Sequence, residues 1–208
     1  MKTLSILFTI FITITNVFAQ ETLPNNTPPV ALVHKIIGSA FFDGKEIKMG
    51  DSLSKNGLIT TSNKSFIQLK IVKWNTSINL GSNSKMELNF ASEKKYTLMD
   101  GYCRWKSLIR DAVTKSGGGK GKIYTKNVAM GVRGTDFLIK SFPIFGETEI
   151  VMFDGEVLME NIDDKENSVV VTKGQWGGLG GRFGKKINPP LDLPKEVLTS
   201  FEQLIEAP

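Results

Sequence analysis

Cysteine and histidine are nearly absent from this chain: its 208 residues contain one of each, Cys103 and His34. A single cysteine cannot close an intramolecular disulfide, so a disulfide-stapled scaffold is excluded and stability has to come from burial. One histidine and one cysteine also exclude a zinc site built from several such ligands. No nucleophile-elbow sequence accompanies His34, so a Ser-His-Asp system has no recognisable nucleophile. Charge of one sign is never concentrated: the formal charge of +5 comes from scattered lysines, and no nucleic-acid-binding motif is found. After the first residues, no apolar run reaches the ~20 residues that a membrane span needs.

The glycine-rich segments lack what cofactor-binding loops require. In residues 116–122 (SGGGKGK), serine stands where a phosphate-binding loop has its first glycine, with no apolar strand before and no helix after. In residues 176–186 (WGGLGGRFGKK), Phe183 takes the place of the third glycine of a dinucleotide fingerprint. Composition predicts exposed loops for both, and no cofactor is expected. No Asp or Glu pair is singled out by its setting, so the expectation is a protein that acts by association and turns over no substrate.

What is present begins with an address. Met1 and Lys2 precede an apolar run holding Ile6, Leu7, Phe8, Ile10, Phe11 and Ile12, and Val17-Phe18-Ala19 follows. This order predicts a signal peptide over residues 1–19, cleaved before Gln20, and hence a periplasmic or secreted protein. No cysteine stands beside the cut, so lipid attachment there is not supported. Residues 20–29 (QETLPNNTPP) read as an extended leader.

From Val30 onward, short alternation dominates. Ile67, Leu69 and Ile71 share one face, Met86, Leu88 and Phe90 another, and residues 148–153, 156–160 and 168–172 continue the pattern. Asp43-Gly44, Asn56-Gly57, Asp100-Gly101 and Asp154-Gly155 supply turn chemistry between runs. The expected class is all-β: stacked short strands in a sandwich-like or solenoid-like roll over residues 30–187. Cys103 and Trp105 fall on one strand face, which predicts a buried thiol. Residues 188–194 form a proline-rich connector. A short helix over 195–207 then places Val197, Leu198, Phe201, Leu204 and Ile205 on one stripe. A helix this short is marginal alone, so the stripe is expected to pack on its own sheet, with partner docking as the other reading.

One constellation stands apart. Gly131-Val132-Arg133-Gly134-Thr135-Asp136-Phe137 sets an arginine between turn glycines, an acid three residues on, and an aromatic ready to enter the core. The preferred reading is structural: Arg133 staples the turn, with Asp136 or backbone carbonyls as acceptors. The functional reading is recognition of an anion or carboxylate by Arg133.

On these residues the chain resembles the FecR domain of bacterial envelopes. The resemblance is carried by Val132-Arg133-Gly134-Thr135-Asp136-Phe137. It extends to Ile36-Ile37-Gly38-Ser39-Ala40, Met49-Gly50-Asp51-Ser52-Leu53 and Phe153-Asp154-Gly155-Glu156-Val157, and spans about residues 30 to 178. It implies an exported all-β domain used in signalling across the envelope, with no catalytic residues to carry over. In anti-sigma members a sigma-factor-binding region and a transmembrane helix precede this domain; here a signal peptide takes their place, which favours a stand-alone binding or scaffold module. An envelope protein partner is expected. A glycan, peptidoglycan or another anionic ligand is the alternative, suggested by mild basicity and by Trp74, Trp105 and Trp176. A small hydrolase ranks third, and no nucleic-acid partner is expected.

Overall fold

The computed structural model describes residues 31–72, 75–90, 95–107, 121–132, 135–180 and 185–205. The expected signal peptide and leader, Trp74, Arg133 and Gly134 lie outside these residues. Among the described residues the alternating runs form seventeen strands. The first nine are β1 (Ala31–Ile37), β2 (Ala40–Phe42), β3 (Lys45–Glu46), β4 (Ser52–Leu53), β5 (Gly57–Thr61), β6 (Phe66–Ile71), β7 (Thr76–Leu80), β8 (Lys85–Asn89) and β9 (Lys95–Ser107). Then come β10 (Gly121–Tyr124), β11 (Val128–Val132), β12 (Asp136–Phe142), β13 (Glu147–Asp154), β14 (Glu156–Asn161), β15 (Ser168–Thr172), β16 (Gln175–Leu179) and β17 (Leu191–Asp192). Helix α1 (Lys195–Leu204) follows.

The strands lie in two layers. The front sheet runs β4-β1-β6-β7-β9-β12-β13-β16-β17, antiparallel throughout. The back sheet runs β3-β2-β5-β8-β9-β10-β11-β14-β15, with β9–β10 as its parallel pair. Strand β9 belongs to both: Lys95 to Asp100 pair with β8 in the back sheet, and Gly101 to Ser107 pair with β7 and β12 in the front. The chain alternates between the layers as it advances, so the architecture is a sandwich-like roll with open edges, as the alternation predicts.

The core fills the space between the layers. Ile67, Leu69, Ile71, Ile78, Cys103, Trp105, Phe137, Ile139, Ile150 and Met152 face inward from the front sheet. Ile59, Met86, Leu88, Tyr96, Leu98, Ile123, Met130, Val157 and Met159 face them from the back. Each is every second residue of its strand, the period that puts one face of a strand in the core.

Composition misleads at three places. Asp100-Gly101 makes no turn between strands; Gly101, at φ +89°, is the kink at which β9 leaves one sheet for the other. The hydroxyl of Ser84 holds this kink, accepting from Tyr102 N–H at 3.0 Å and donating to Tyr102 C=O at 3.2 Å. A Cβ on Gly101 would strike the Ser84 backbone. Gly121 and Lys122 belong to β10, so the basic glycine segment is strand at its C-terminal end. Trp176 to Leu179 are strand β16 rather than exposed loop, and Gly177 to Leu179 are buried. Glycine is needed there for close approach, since a Cβ on Gly177 would lie 2.5 Å from a Val171 methyl.

Candidate functional site

The outer face of the front sheet carries a second apolar layer. Phe66, Leu138, Val151 and Phe153 point away from the main core and meet Leu198, Phe201 and Ile205 from the helical segment, with Tyr102, Trp176 and Leu193 at the margin. Three residues of the predicted helical stripe therefore pack on the chain's own sheet, and Ile205 is only 2% exposed. Val197 departs from the stripe: it is exposed, because the helix turns only part of its apolar face to the sheet. Leu204 ends the helix, and its side chain lies outside the described residues.

The Gly-Thr-Asp-Phe half of the sequence motif leads into this layer. Phe137 is fully buried in the main core, as expected. Thr135 is buried, and its carbonyl accepts Ser107 N–H at 2.9 Å. Asp136 points to the outer face, where its acceptors meet an arginine that sequence reasoning missed. Arg104 Nε donates to Asp136 Oδ1 at 2.9 Å and Nη2 to Oδ2 at 3.0 Å, a two-pronged ion pair between side chains that are 6% and 14% exposed. Lys106 Nζ approaches the same carboxylate at 3.5 Å from a more exposed position. The same guanidinium lies 4.7 Å from the Phe153 ring centroid and donates to Glu202 C=O at 3.3 Å. Helix α1 has no basic residue in its last turn, so Arg104 brings a positive charge from the sheet to the negative end of the helix. Asn79 Nδ2 adds a bond to Ile205 C=O at 3.2 Å. The available signal was alternation itself: in Tyr102-Cys103-Arg104-Trp105, inward Cys103 and Trp105 force Arg104 outward.

The chemistry on offer elsewhere is spare. Burial pushes the Cys103 thiol up to about 12, so it stays protonated and unreactive near neutral pH. His34 is exposed where β1 bulges between Val33 and Lys35. Among the described residues no group of three His, Cys, Asp or Glu side chains could hold a metal ion. Trp105 is core and Trp176 lies half-buried against the helical layer, so neither offers a free aromatic platform to a sugar. Among the described residues no helix is long and apolar enough to cross a membrane.

The sheet edges differ in character. Edge strands β3, β4 and β17 are two residues each, while β15 has five, with pairing only to β14 among the described residues. Asn161 N–H donates to Asn167 C=O at 3.1 Å, which sets the alternation of the ladder. With Leu158 opposite Val170, the Val170 N–H and C=O then point away from β14. The Val170 side chain is 49% exposed beside Leu158 on the back sheet's outer face.

No family model matches the sequence, and no curated protein matches it. The fold does match solved structures. Two crystal structures of a candidate anti-sigma factor from Parabacteroides distasonis ATCC 8503 superpose with a TM-score of 0.55 at 14% sequence identity. The match covers 70% of this chain and 64% of that one. The shared feature is the fold of an all-β roll.

Proposed function

We propose that this chain is an exported, non-catalytic binding module of the bacterial cell envelope, one that captures a protein partner by adding a strand to β15. The observation that carries the reading is the contrast between edges. Three are cut to two residues, a length that gives a passing strand little to pair with. The fourth keeps a β-branched run, Val169-Val170-Val171, with outward backbone groups at Val170 and apolar side chains on the adjoining face. Backbone hydrogen bonds would supply affinity there, and the exposed apolar surface of Leu158 and Val170 would favour apolar side chains at alternate positions of the guest. Glu166 C=O accepts Ser168 N–H at 3.2 Å and the Gln175 side chain accepts Thr172 N–H at 3.0 Å, which frames the accessible stretch at both ends. The fold shared with candidate anti-sigma factors, the signal-peptide order of residues 1–19 and the resemblance to the FecR domain support a role in envelope signalling.

The test is site-specific photocrosslinking from Thr172 in intact cells, in the parent chain and in Val170→Pro. Proline at this position removes an outward donor and leaves the bonds to β14 in place, so melting should hold while the adduct disappears. An adduct that persists in Val170→Pro overturns the edge as the docking site.

A second reading is favoured by one further feature, the half of the front sheet's outer face that α1 leaves largely uncovered. Gln68, Ser77 and Asn79 form a hydrogen-bonded polar row there, flanked by exposed Lys70 and Lys106. An anionic envelope polymer such as peptidoglycan fits that face. Sedimentation with purified cell wall that is lost in a Lys70→Glu, Lys106→Glu double variant would move the assignment to it.

A further inference from the structure

The β12–β13 hairpin ends in Phe142-Pro143-Ile144-Phe145-Gly146, and the turn offers its largest apolar side chains to solvent: Ile144 is 89% exposed and Phe145 66%. The backbone beneath them is held in place. Phe145 N–H donates to Phe142 C=O at 3.1 Å, and Asn127 Nδ2 from the β10–β11 turn donates to Gly146 C=O at 2.9 Å. Gly146 adopts φ +67°, and Gly180 packs against its carbonyl, so close that a Cβ there would lie 2.8 Å away. A turn braced on both flanks cannot fold its side chains back onto the domain. Just below the tip, the Phe142 ring stands edge-on to Tyr102 at 5.7 Å, and Lys140 Nζ lies 4.9 Å from the Phe142 centroid.

The neighbouring loops at this end of the roll are tied together. Ile162 N–H donates to Asn127 C=O at 3.0 Å, and Asn161 Nδ2 donates to Lys185 C=O at 2.7 Å. They bring exposed Lys126, Lys185 and Lys186 around the tip, together with exposed Ile162. The β14–β15 loop adds Asp163, Asp164 and Glu166 with Lys165 among them, and below the tip Glu147 and Glu149 face Lys140, while residues 141–146 themselves contain no acid.

We infer that this hairpin tip is a membrane-contact element, seating Ile144 and Phe145 at the headgroup–acyl boundary of an anionic lipid surface. A convex apolar point fits a fluid boundary, where a protein partner would have to provide a matching hollow. Insertion of a braced turn loses little backbone freedom. Lys126, Lys185 and Lys186, on the loops tied to the tip, would meet headgroup phosphates, and the half-buried Phe142 ring beside Tyr102 adds aromatic surface of the kind that favours the interface. The inference is independent of the β15 edge, since it uses no residue of that strand.

The experiment uses vesicles rich in phosphatidylglycerol, with phosphatidylcholine vesicles as the neutral arm. Ile144→Cys carries an environment-sensitive dye; the labelling is specific because Cys103 is buried. A blue shift of the dye on the anionic vesicles is expected. In co-sedimentation, Phe145→Asp should bind about tenfold more weakly, and Lys126→Glu with Lys186→Glu should remove the preference for anionic lipid. Since all these positions are exposed, melting should not change. A dye that stays in water while the protein sediments with the vesicles overturns the inference. So does a shift that rises with protein concentration in the absence of lipid, which would make the tip a contact between copies of this chain. Equal binding to both vesicle types overturns the role of the lysines.

Discussion

At the scale of single residues, Arg104 shows how one side chain can serve two elements. Its guanidinium holds Asp136 on the next strand and the Glu202 carbonyl at the end of α1, beneath a layer that excludes water. Removing it would leave a nearly buried carboxylate with Lys106 as its remaining close cation among the described residues. Arg104→Ala is expected to cost about 3 kcal/mol of stability, whereas Lys106→Ala, the exposed partner, should cost less than about 1 kcal/mol. Arg104→Lys should recover little, since a single ammonium cannot span both carboxylate oxygens and a backbone carbonyl. Chemical denaturation of the three variants checks the order; equal loss in Arg104→Ala and Lys106→Ala would contradict it. This pair was not legible in the sequence. Asp136 was singled out, but its partner stands 32 residues earlier, and only the register of β9 against β12 brings them together. Arg133, the arginine that the motif suggested, lies outside the described residues.

At the scale of elements, α1 is held by what it covers. Its own sequence gives it little: Pro194 precedes it with no side-chain cap, and the last turn carries no cation. Burial of Ile205 with partial burial of Leu198 and Phe201 is the larger contribution, about 3–5 kcal/mol by area. Truncation after Pro194 should therefore lower the melting temperature and raise binding of a hydrophobic dye, because Leu138, Val151 and Phe153 become exposed. Unchanged melting would show that the helix is dispensable to the fold and free to serve a partner. The strands were legible wherever one face met the core and the other met water, as in β6 and β8, because the period of two is then written out in full. They were not legible where glycine acts by close approach. Gly177 and Gly178 look like loop residues until the Val171 methyl beside the first and the Trp176 ring beside the second are in view. Asp100-Gly101 carries the chemistry of a turn because a kink between sheets needs the same positive φ.

At the scale of the whole molecule, the two sheets are one hydrogen-bonded body through β9, and Cys103 is fully buried in that strand. A local opening of an edge should leave it unreactive, so alkylation of Cys103 is expected to track global unfolding. The pH dependence follows from burial. The neutral thiol is the form the fold retains, so its contribution is intact below the unfolded value of 9.0 and is lost as pH rises toward about 12. Alkylation that outruns global unfolding, measured by dichroism in parallel, would mean that β9 opens by itself.

The same shared strand has a mechanical consequence. The chain enters the front sheet at β1, and the proposed docking edge β15 is the last strand of the back sheet. A pull between β1 and a partner held at β15 has to pass from one layer to the other. Had the layers met through side chains alone, such a load would make them slide. Here β9 transmits part of it along covalent backbone, and the Ser84 clasp at Gly101 sits where that strand bends under tension.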